Sequence, residues 1–230
     1  MKALSIVAHS DDHVLWMGGT ILRLNKWTWH ILSLCKSHNN EDFKPKRIVF
    51  ERSCTELGAS RCFAKDLNDY QSKKEMETQQ LERMKKEILG FADSDGYDLV
   101  FTHSKQESCE YGFHANHAEV CDAVNQVING GLLKTKGVLY FCYRSGGNRR
   151  PVIADLGNAD YKVELNPAEI DRKRSLKHTF TWAKGDLMSL TLWGNDEPII
   201  ETFQAGCLDL QLPPDFISKK QGSHLANRQI

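Results

Sequence analysis

The sequence lacks several features that would assign it to a specialised class of protein. Its 30 basic and 30 acidic residues cancel, so the net charge gives no indication of binding to nucleic acid or to an acidic membrane surface. No apolar run approaches the roughly 20 residues needed to cross a bilayer. The apolar part of the amino-terminal MKALSIVAHSDD is also too short for a signal peptide. We therefore expect a soluble protein of the cytoplasm with no membrane span.

Cysteines and linker segments also lack the patterns that would divide or cross-link the chain. The seven cysteines are scattered, with no C-x-x-C pair and no regular spacing, which is typical of reduced, mostly buried thiols in a reducing compartment. There is no internal repeat, low-complexity tract or Pro/Gly-rich linker. We predict a single domain over residues 1–230, with the functional motifs in residues 1–130 and a section over residues 144–230 that completes the fold and the pocket.

Short apolar runs alternate with longer amphipathic stretches along most of the chain. This alternation is typical of βαβ units, in which helices connect the strands of a mostly parallel sheet. The pattern therefore predicts an α/β fold with strands at Leu4–Ala8, His30–Cys35, Arg61–Ala64, Asp98–Thr102 and residues 137–143. Helices are predicted between and after them, at residues 14–27, Arg47–Leu57, residues 73–92, from His117 onward and in NPAEIDRKRSLKHTF.

Two polar clusters follow predicted strands. HSDD comes directly after the first strand, and GFHANH comes one loop after the strand Asp98–Thr102. Because open parallel sheets form their binding sites beyond the carboxyl ends of the strands, both clusters should reach the same edge of the sheet. One carboxylate and two imidazoles at that edge are a catalytic zinc set with a position open for water. A carboxylate left over beside the metal could act as the general base of a hydrolase.

Each cluster also has a simpler explanation. Adjacent aspartates at a helix N-terminus, here Asp11 and Asp12, can merely cap the helix and interact with its dipole. His114 and His117, three residues apart, can form a solvated or buried pair without a metal. Acidic residues after a first strand can also hold Mg²⁺ in a phosphoryl-transfer protein, although that ion has little use for imidazole. A dinucleotide-binding site is disfavoured because the glycines of WMGGTI lie inside the predicted helix, where they permit close packing.

The two clusters resemble the motifs of the PIG-L/LmbE family of zinc-dependent N-deacetylases. The family's first motif, A-H-P-D-D-E followed by a G-G-T-I-like stretch, corresponds here to AHSDDHVLWMGGTI. Its second motif, H-P-D-H or H-x-x-H, corresponds to the end of THSKQESCEYGFHANHAEV, and RIVFERSCTELG resembles the family's R-x-x-E…L-G helix. The resemblance implies a Rossmann-like three-layer αβα fold with a mostly parallel sheet. It also implies hydrolysis of the N-acetyl group of an amino sugar or N-acetylglucosamine conjugate.

Carried over position by position, the resemblance implies one zinc ion per chain, bound by His9, Asp12 and His117. Asp11 would be the general base for the metal-bound water that attacks the amide carbonyl. His114 would polarise that carbonyl or stabilise the oxyanion. The partner implied is a small N-acetylated sugar or conjugate and not nucleic acid, and a homo-oligomer is compatible with this. The alternative within the family is a non-catalytic relative that binds a metal or a sugar without hydrolysing it.

Arginines are the candidates for further substrate contacts. The resemblance makes Arg47, at the start of the second helix, a substrate-binding residue, with an ordinary surface arginine as the alternative. Arg144, Arg149 and Arg150 in YRSGGNRRP could favour an anionic substrate group such as phosphate, or they could belong to a solvated loop.

Three residues depart from the family's motifs. Ser10 replaces the usual proline and loosens the turn that aims His9. His13 replaces the usual glutamate and is either an ordinary residue of the first helical turn or an additional ligand that would allow a divalent metal other than zinc. Asn116 replaces the usual aspartate, so it should make His114 less basic and displace the pH optimum, if that aspartate normally supports the charged histidine. None of these changes removes a predicted ligand or the base, so we expect an active enzyme.

Overall fold

The computed structural model describes residues 1–36, 43–69, 79–105, 115–145, 152–154, 156–182, 200–206 and 212–218. The helices in these residues are α1 (Asp12–Arg23), α2 (Phe43–Glu56), α3 (Gln80–Phe91), α4 (Ala115–Asn129) and α5 (Pro167–Trp182). The strands are β1 (Lys2–Val7), β2 (Thr28–Cys35), β3 (Arg61–Leu67), β4 (Leu99–Thr102), β5 (Val138–Phe141), β6 (Tyr143–Ser145), β7 (Val152–Ala154), β8 (Tyr161–Glu164), β9 (Ile200–Ala205) and β10 (Ile217–Ser218).

In the described part of the chain, eight strands form one sheet in the order β10-β8-β9-β5-β4-β1-β2-β3. Strands β1 to β5 all run parallel to their neighbours among these five. Beyond β5 the sheet continues with the antiparallel strands β9 and β8, while β6 and β7 form a separate pair. The connections change direction between β1 and β4, and open α/β sheets form a ligand crevice at such a point.

Helices cover both faces of the sheet because alternate residues of a buried strand point to opposite sides. From β1, Ala3 and Val7 join an apolar core that includes residues of α1, α2 and α5. Leu4 and Ile6 join the core on the other face, which includes residues of α3 and α4. The three-layer α/β fold with a mostly parallel sheet that the sequence predicts is therefore confirmed.

Two elements end three or more residues away from their predicted ends. The first helix ends at Arg23 instead of residue 27. The chain then turns, and the indole of Trp27 stacks on that of Trp29 with ring centroids 5.6 Å apart. The third strand was predicted to end at Ala64 but continues to Leu67. This extension carries the chain that follows β3 closer to the crevice.

The apolar run over residues 137–143 is divided between β5 and β6, because Tyr143 leaves the main sheet and pairs with Ala154 of β7. The predicted start of the helix over residues 73–92 falls among residues 70–78, which lie outside the described residues, and α3 is described from Gln80.

Among the helices that the structure describes, none is both long enough and apolar enough to span a bilayer.

Candidate active site

The turn from β1 into α1 and the start of α4 meet at the crevice. The backbone N–H of His9 donates a hydrogen bond of 2.7 Å to Asp12 Oδ2, which closes the turn that follows β1. Helix α4 begins at Ala115 and brings His117 to the same edge of the sheet. His9, Asp12 and His117 are all buried, with exposed fractions of 7%, 3% and 9%. The expectation that both polar clusters reach one edge is met by these three residues.

Three donor atoms from these residues form a nearly equilateral triangle. His9 Nδ1 lies 3.3 Å from His117 Nε2 and 3.4 Å from Asp12 Oδ2, and the third side, His117 Nε2 to Asp12 Oδ2, is 3.5 Å. Ligands of a tetrahedral zinc ion, each about 2.0–2.1 Å from the metal, lie about 3.3 Å from one another. The triangle therefore fits such an ion, and two imidazoles with one carboxylate are a donor set that zinc accepts.

Asp12 divides its two oxygens between different partners. Oδ2 faces the histidines, while Oδ1 accepts a hydrogen bond of 3.1 Å from the indole Nε1–H of Trp16, one helical turn further along α1. Burial disfavours the charged carboxylate, but the imidazoles of His117 and His103 outweigh this effect and hold the pKa of Asp12 well below its usual value. Asp12 is therefore an anion with a single oxygen directed at the triangle.

His9 lies between two carboxylates. Its Nδ1 faces Asp12, and its Nε2 is 3.3 Å from Asp69 Oδ1. Burial alone would lower the pKa of His9, but the hydrogen bonds with Asp12 and Asp69 outweigh burial and raise this pKa to about 10. Because a metal ligand must be deprotonated, a cation bound at Nδ1 would replace a proton there.

Asp11 immediately precedes α1 and lies beside the triangle. Its carbonyl oxygen accepts hydrogen bonds of 3.0 Å from the N–H groups of both Val14 and Leu15. Within the described residues, its side chain makes no hydrogen bond that caps the helix, so the capping explanation does not hold for Asp11. Burial, together with the adjacent charge of Asp12, raises the pKa of the Asp11 carboxyl to about 6.

His103 is a fourth residue of the site, and it is not among the residues predicted from the sequence. It directly follows β4, is fully buried, and its Nε2 lies 3.2 Å from Asp12 Oδ2. The backbone nitrogen of Ala8 lies 2.9 Å from the same atom. Its ring stacks on that of His117, with centroids 3.8 Å apart and an interplanar angle of 19°. The rule that located His9, a polar residue just after a strand, could also have located His103.

Two more residues were missed for different reasons. Asp69 follows β3, and its side chain is only 3% exposed. Because the strand was predicted to end at Ala64, a residue this far beyond it was not associated with the edge of the sheet. Trp16 lies in the predicted first helix, and its spacing of four residues from Asp12 places both side chains on one face.

His13 contacts α2 instead of completing the triangle. It is fully buried, and its Nε2 is 2.9 Å from Ser53 Oγ. Its ring also meets that of Phe50 edge to face, with centroids 5.0 Å apart. Burial lowers the pKa of His13 to about 3. Of the two alternatives for this residue, the contacts favour a structural residue of the first helical turn.

Of the arginines predicted to contact substrate, Arg47 and Arg144 lie in the described part of the chain. Arg47 lies in α2, where its Nε donates to Glu51 Oε1 at 2.8 Å and its guanidinium lies over the ring of Phe63 at 4.7 Å. Its side chain is 43% exposed, so a role in substrate binding stays a prediction. Arg144 is described in its backbone alone, in β6. The predicted residues that lie outside the described part of the chain are His114, Arg149 and Arg150.

Solved structures share this fold at low sequence identity. The conserved protein TT1542 from Thermus thermophilus matches with a TM-score of 0.60 and 16% identity, over 92% of this chain and 97% of that chain. The N,N'-diacetylchitobiose deacetylase from Pyrococcus horikoshii matches with a TM-score of 0.56 and 16% identity, over 89% and 83%. GalB, the 4-carboxy-2-hydroxymuconate hydratase from Pseudomonas putida, gives 0.56 and 14%, over 92% and 98%. At these identities the likeness shows the fold.

A family model identifies the chain more specifically. The model described as PIG-L, GlcNAc-PI de-N-acetylase, matches residues 4–128. That segment is more than half of the 230 residues, and it contains both polar clusters and all three atoms of the triangle. The chain belongs to the PIG-L family.

Proposed function

We propose that this protein is a zinc-dependent N-deacetylase that hydrolyses the N-acetyl group of an amino sugar or an N-acetylglucosamine conjugate. The observation that carries the proposal is the triangle of His9 Nδ1, Asp12 Oδ2 and His117 Nε2 with sides of 3.3, 3.4 and 3.5 Å. The description of the matching family as a de-N-acetylase and the chitobiose deacetylase with a similar fold support the same chemistry.

The three residues of the triangle would hold the metal. His9, Asp12 and His117 supply one net negative charge when both imidazoles are neutral, which suits a divalent cation. A zinc ion bound there supplies Lewis acidity, which polarises water and carbonyl oxygens at neutral pH. Burial of all three side chains keeps bulk water from competing for these donor atoms.

Asp11 is the proposed general base. Its carboxylate takes a proton from the attacking water as the bond from oxygen to the carbonyl carbon forms. The C–N bond then breaks, and the same carboxyl group returns the proton to the departing amine nitrogen, so that acetate and a free amine leave. On the resemblance, His114 would hydrogen-bond the carbonyl oxygen as it gains negative charge, and Arg47 would contact the sugar.

We treat residues 1–230 as one catalytic domain because β8 and β9, from its carboxyl-terminal part, extend the same sheet beyond β5. A cytoplasmic location and a small-molecule partner are part of the proposal. Phosphoryl transfer fits the site less well because Mg²⁺ has little use for the imidazoles of His9 and His117. Dinucleotide binding fits less well because Gly18 and Gly19 lie inside α1 and not before it.

The first experiment measures metal content and amine release together. The purified chain is stripped with a chelator, reloaded with zinc and analysed by elemental analysis. Amine release is then followed from N-acetylglucosamine and a small panel of its conjugates. We expect about one zinc ion per chain, and amine release that stops on chelation and returns when zinc is added. Asp11→Ala should bind zinc and release no amine above background.

Each outcome has a defined meaning. Failure to bind zinc, with no gain in amine release when zinc is added, would overturn the proposal at the metal site. Zinc binding without amine release from any compound of the panel would favour the non-catalytic relative that binds a metal or a sugar. Equal amine release by Asp11→Ala and the unaltered protein would remove Asp11 from the mechanism while keeping the metal site.

A further inference from the structure

A buried carboxylate lies behind His9, on the side of the ring that faces away from the triangle. Asp69 follows β3 and its Oδ1 is 3.3 Å from His9 Nε2, while the opposite ring nitrogen of His9 faces Asp12. The Asp69 side chain is 3% exposed. A carboxylate with so little contact with water must be compensated by hydrogen-bond donors.

The chemistry of imidazole decides what this contact does. A neutral histidine carries one N–H, and a ring nitrogen that binds a metal must be the deprotonated one. If His9 uses Nδ1 in the triangle, its proton must be on Nε2, which is the atom that faces Asp69. An acceptor at that position selects this tautomer and fixes the rotation of the ring.

Asn116 provides a second donor to the same oxygen. It is fully buried in α4, next to His117, and its Nδ2 donates a hydrogen bond to Asp69 Oδ1. The family's motif has an aspartate at position 116. In this chain a second carboxylate there would face Asp69 in a buried site, where like charges repel strongly. The amide of Asn116 therefore complements Asp69, and it ties the end of β3 to the helix that carries His117.

We propose that Asp69, held by Asn116, is a positioning residue that sets the tautomer and ring orientation of His9 for metal binding. The inference rests on the proposed function only in that His9, Asp12 and His117 are taken to bind a metal. It assigns to Asp69 a role in metal affinity that does not depend on the identity of the substrate. Carboxylates behind metal-binding histidines typically change metal affinity by about 10- to 100-fold when removed.

The test uses the full chain and the metal alone. Apo protein is titrated with Zn²⁺ against a chromophoric chelator, and the visible absorption spectrum of the Co²⁺-loaded protein reports the geometry of its ligands. The variants are Asp69→Asn, Asp69→Glu, Asn116→Asp and the exchange Asp69→Asn/Asn116→Asp. Asp66→Asn is the matched control, because it makes the same chemical change at an exposed position of β3, three residues before Asp69. Thermal unfolding of each apo variant confirms that it folds.

We expect Asp69→Asn to weaken zinc binding about 10- to 100-fold and to alter the Co²⁺ spectrum, with recovery in Asp69→Glu and no change in Asp66→Asn. Asn116→Asp should weaken zinc binding because it opposes two carboxylates. The exchange variant should bind more tightly than Asn116→Asp alone, since it restores an amide–carboxylate pair. Unchanged zinc affinity and an unchanged Co²⁺ spectrum in Asp69→Asn would overturn the role of Asp69. If the losses of zinc affinity in Asp69→Asn and Asn116→Asp simply add in the exchange variant, the dependence of Asp69 on Asn116 would be overturned.

A measurement on the unaltered protein does not depend on any variant at Asp69. In a long-range ¹H–¹⁵N spectrum of the zinc-loaded protein, the ring of His9 should be protonated at Nε2; its signals are identified by their loss in His9→Gln. Protonation at Nδ1 would overturn the proposal. If the unaltered protein binds neither Zn²⁺ nor Co²⁺, the proposed metal centre itself is wrong. If it binds zinc tightly and Asp69→Asn binds zinc equally tightly, only the role of Asp69 is wrong.

Discussion

The indole Nε1–H of Trp16 donates a hydrogen bond of 3.1 Å to Asp12 Oδ1, the carboxylate oxygen that points away from the histidines. The two residues are one turn apart on α1, and both are 3% exposed. Since Oδ1 is already bonded, Asp12 offers only Oδ2 to the triangle. A metal at this site would therefore have one oxygen from Asp12 as a ligand, which favours the low coordination number typical of zinc over that of Ca²⁺.

Trp16→Phe should weaken zinc binding. The substitution keeps an aromatic ring against Tyr143, whose centroid lies 5.1 Å from that of Trp16, but it removes the donor to Asp12. We expect a loss of about 10-fold in zinc affinity, measured by competition with a chromophoric chelator. Trp27→Phe is the control, because it makes the same change at a tryptophan that stacks on Trp29. Equal zinc affinities in the two variants would show that Asp12 does not need the indole.

His117→Ala and Asp11→Ala should separate metal binding from turnover. His117→Ala removes one corner of the triangle and should abolish zinc binding at micromolar metal, as measured by elemental analysis after gel filtration. Asp11→Ala leaves the three donor atoms in place, so it should bind zinc as the unaltered protein does. Loss of a general base should then reduce the rate of amine release about 10²–10⁴-fold. Equal zinc content and equal activity in both variants would contradict these assignments.

The sequence predicts which three residues meet at the crevice, because their meeting depends on short local spacings. His9 and Asp12 follow a strand whose apolar run is unambiguous, and the tight turn after it needs no long-range information. His117 is found in the same way, since strands β1 and β4 lie side by side in the sheet and both end at the crevice. One rule about parallel strands therefore brings together residues that are more than one hundred positions apart in the chain.

The supporting residues could not be found in this way because their contacts are tertiary. Asp69 reaches His9 only because β3 continues to Leu67. The polar residues Lys65 and Asp66 interrupt the apolar pattern near the end of that strand, so the pattern predicts too short a strand. The contact of Asn116 with Asp69 depends on how α4 is rotated against the end of β3. The pattern of one segment contains no information about this rotation. It is set by the apolar contacts between α4 and the sheet.

Lys173→Met should destabilise the fold strongly. Lys173 and Glu201 are fully buried, and the Lys173 Nζ lies 2.7 Å from Glu201 Oε1. The same carboxylate accepts hydrogen bonds from the backbone N–H groups of Gly19 and Thr20 at 2.9 and 2.6 Å, so the pair joins α5, β9 and α1. Removing the cation leaves a buried negative charge, and we expect a loss of about 3–5 kcal/mol in the free energy of unfolding. Urea denaturation measures this loss.

Two further variants test the origin of that loss. Lys162→Met removes a lysine whose ion pair with Glu164 is largely solvated, and it should cost less than about 1 kcal/mol. Lys173→Met/Glu201→Gln removes both buried charges and should recover part of the stability lost in Lys173→Met, because the oxygen of a neutral amide can still accept the bonds from Thr20. A double variant less stable than Lys173→Met would show that the charge of Glu201 was not the cause.

Gly18 and Gly19 should respond differently to alanine, although they are adjacent in α1. A Cβ on Gly19 would lie 2.2 Å from Leu165 Cδ1 and 3.0 Å from its Cγ, so the buried Leu165 side chain would have to move. A Cβ on Gly18 would be 3.6 Å from its nearest neighbours, on Lys173 and Val14, which is ordinary van der Waals contact. Urea denaturation should show that Gly19→Ala loses about 1–3 kcal/mol through overpacking. Gly18→Ala should keep or gain up to about 1 kcal/mol, since alanine favours the helix. Equal effects at both positions would mean that Leu165 moves aside freely, and that close packing does not require a glycine at position 19.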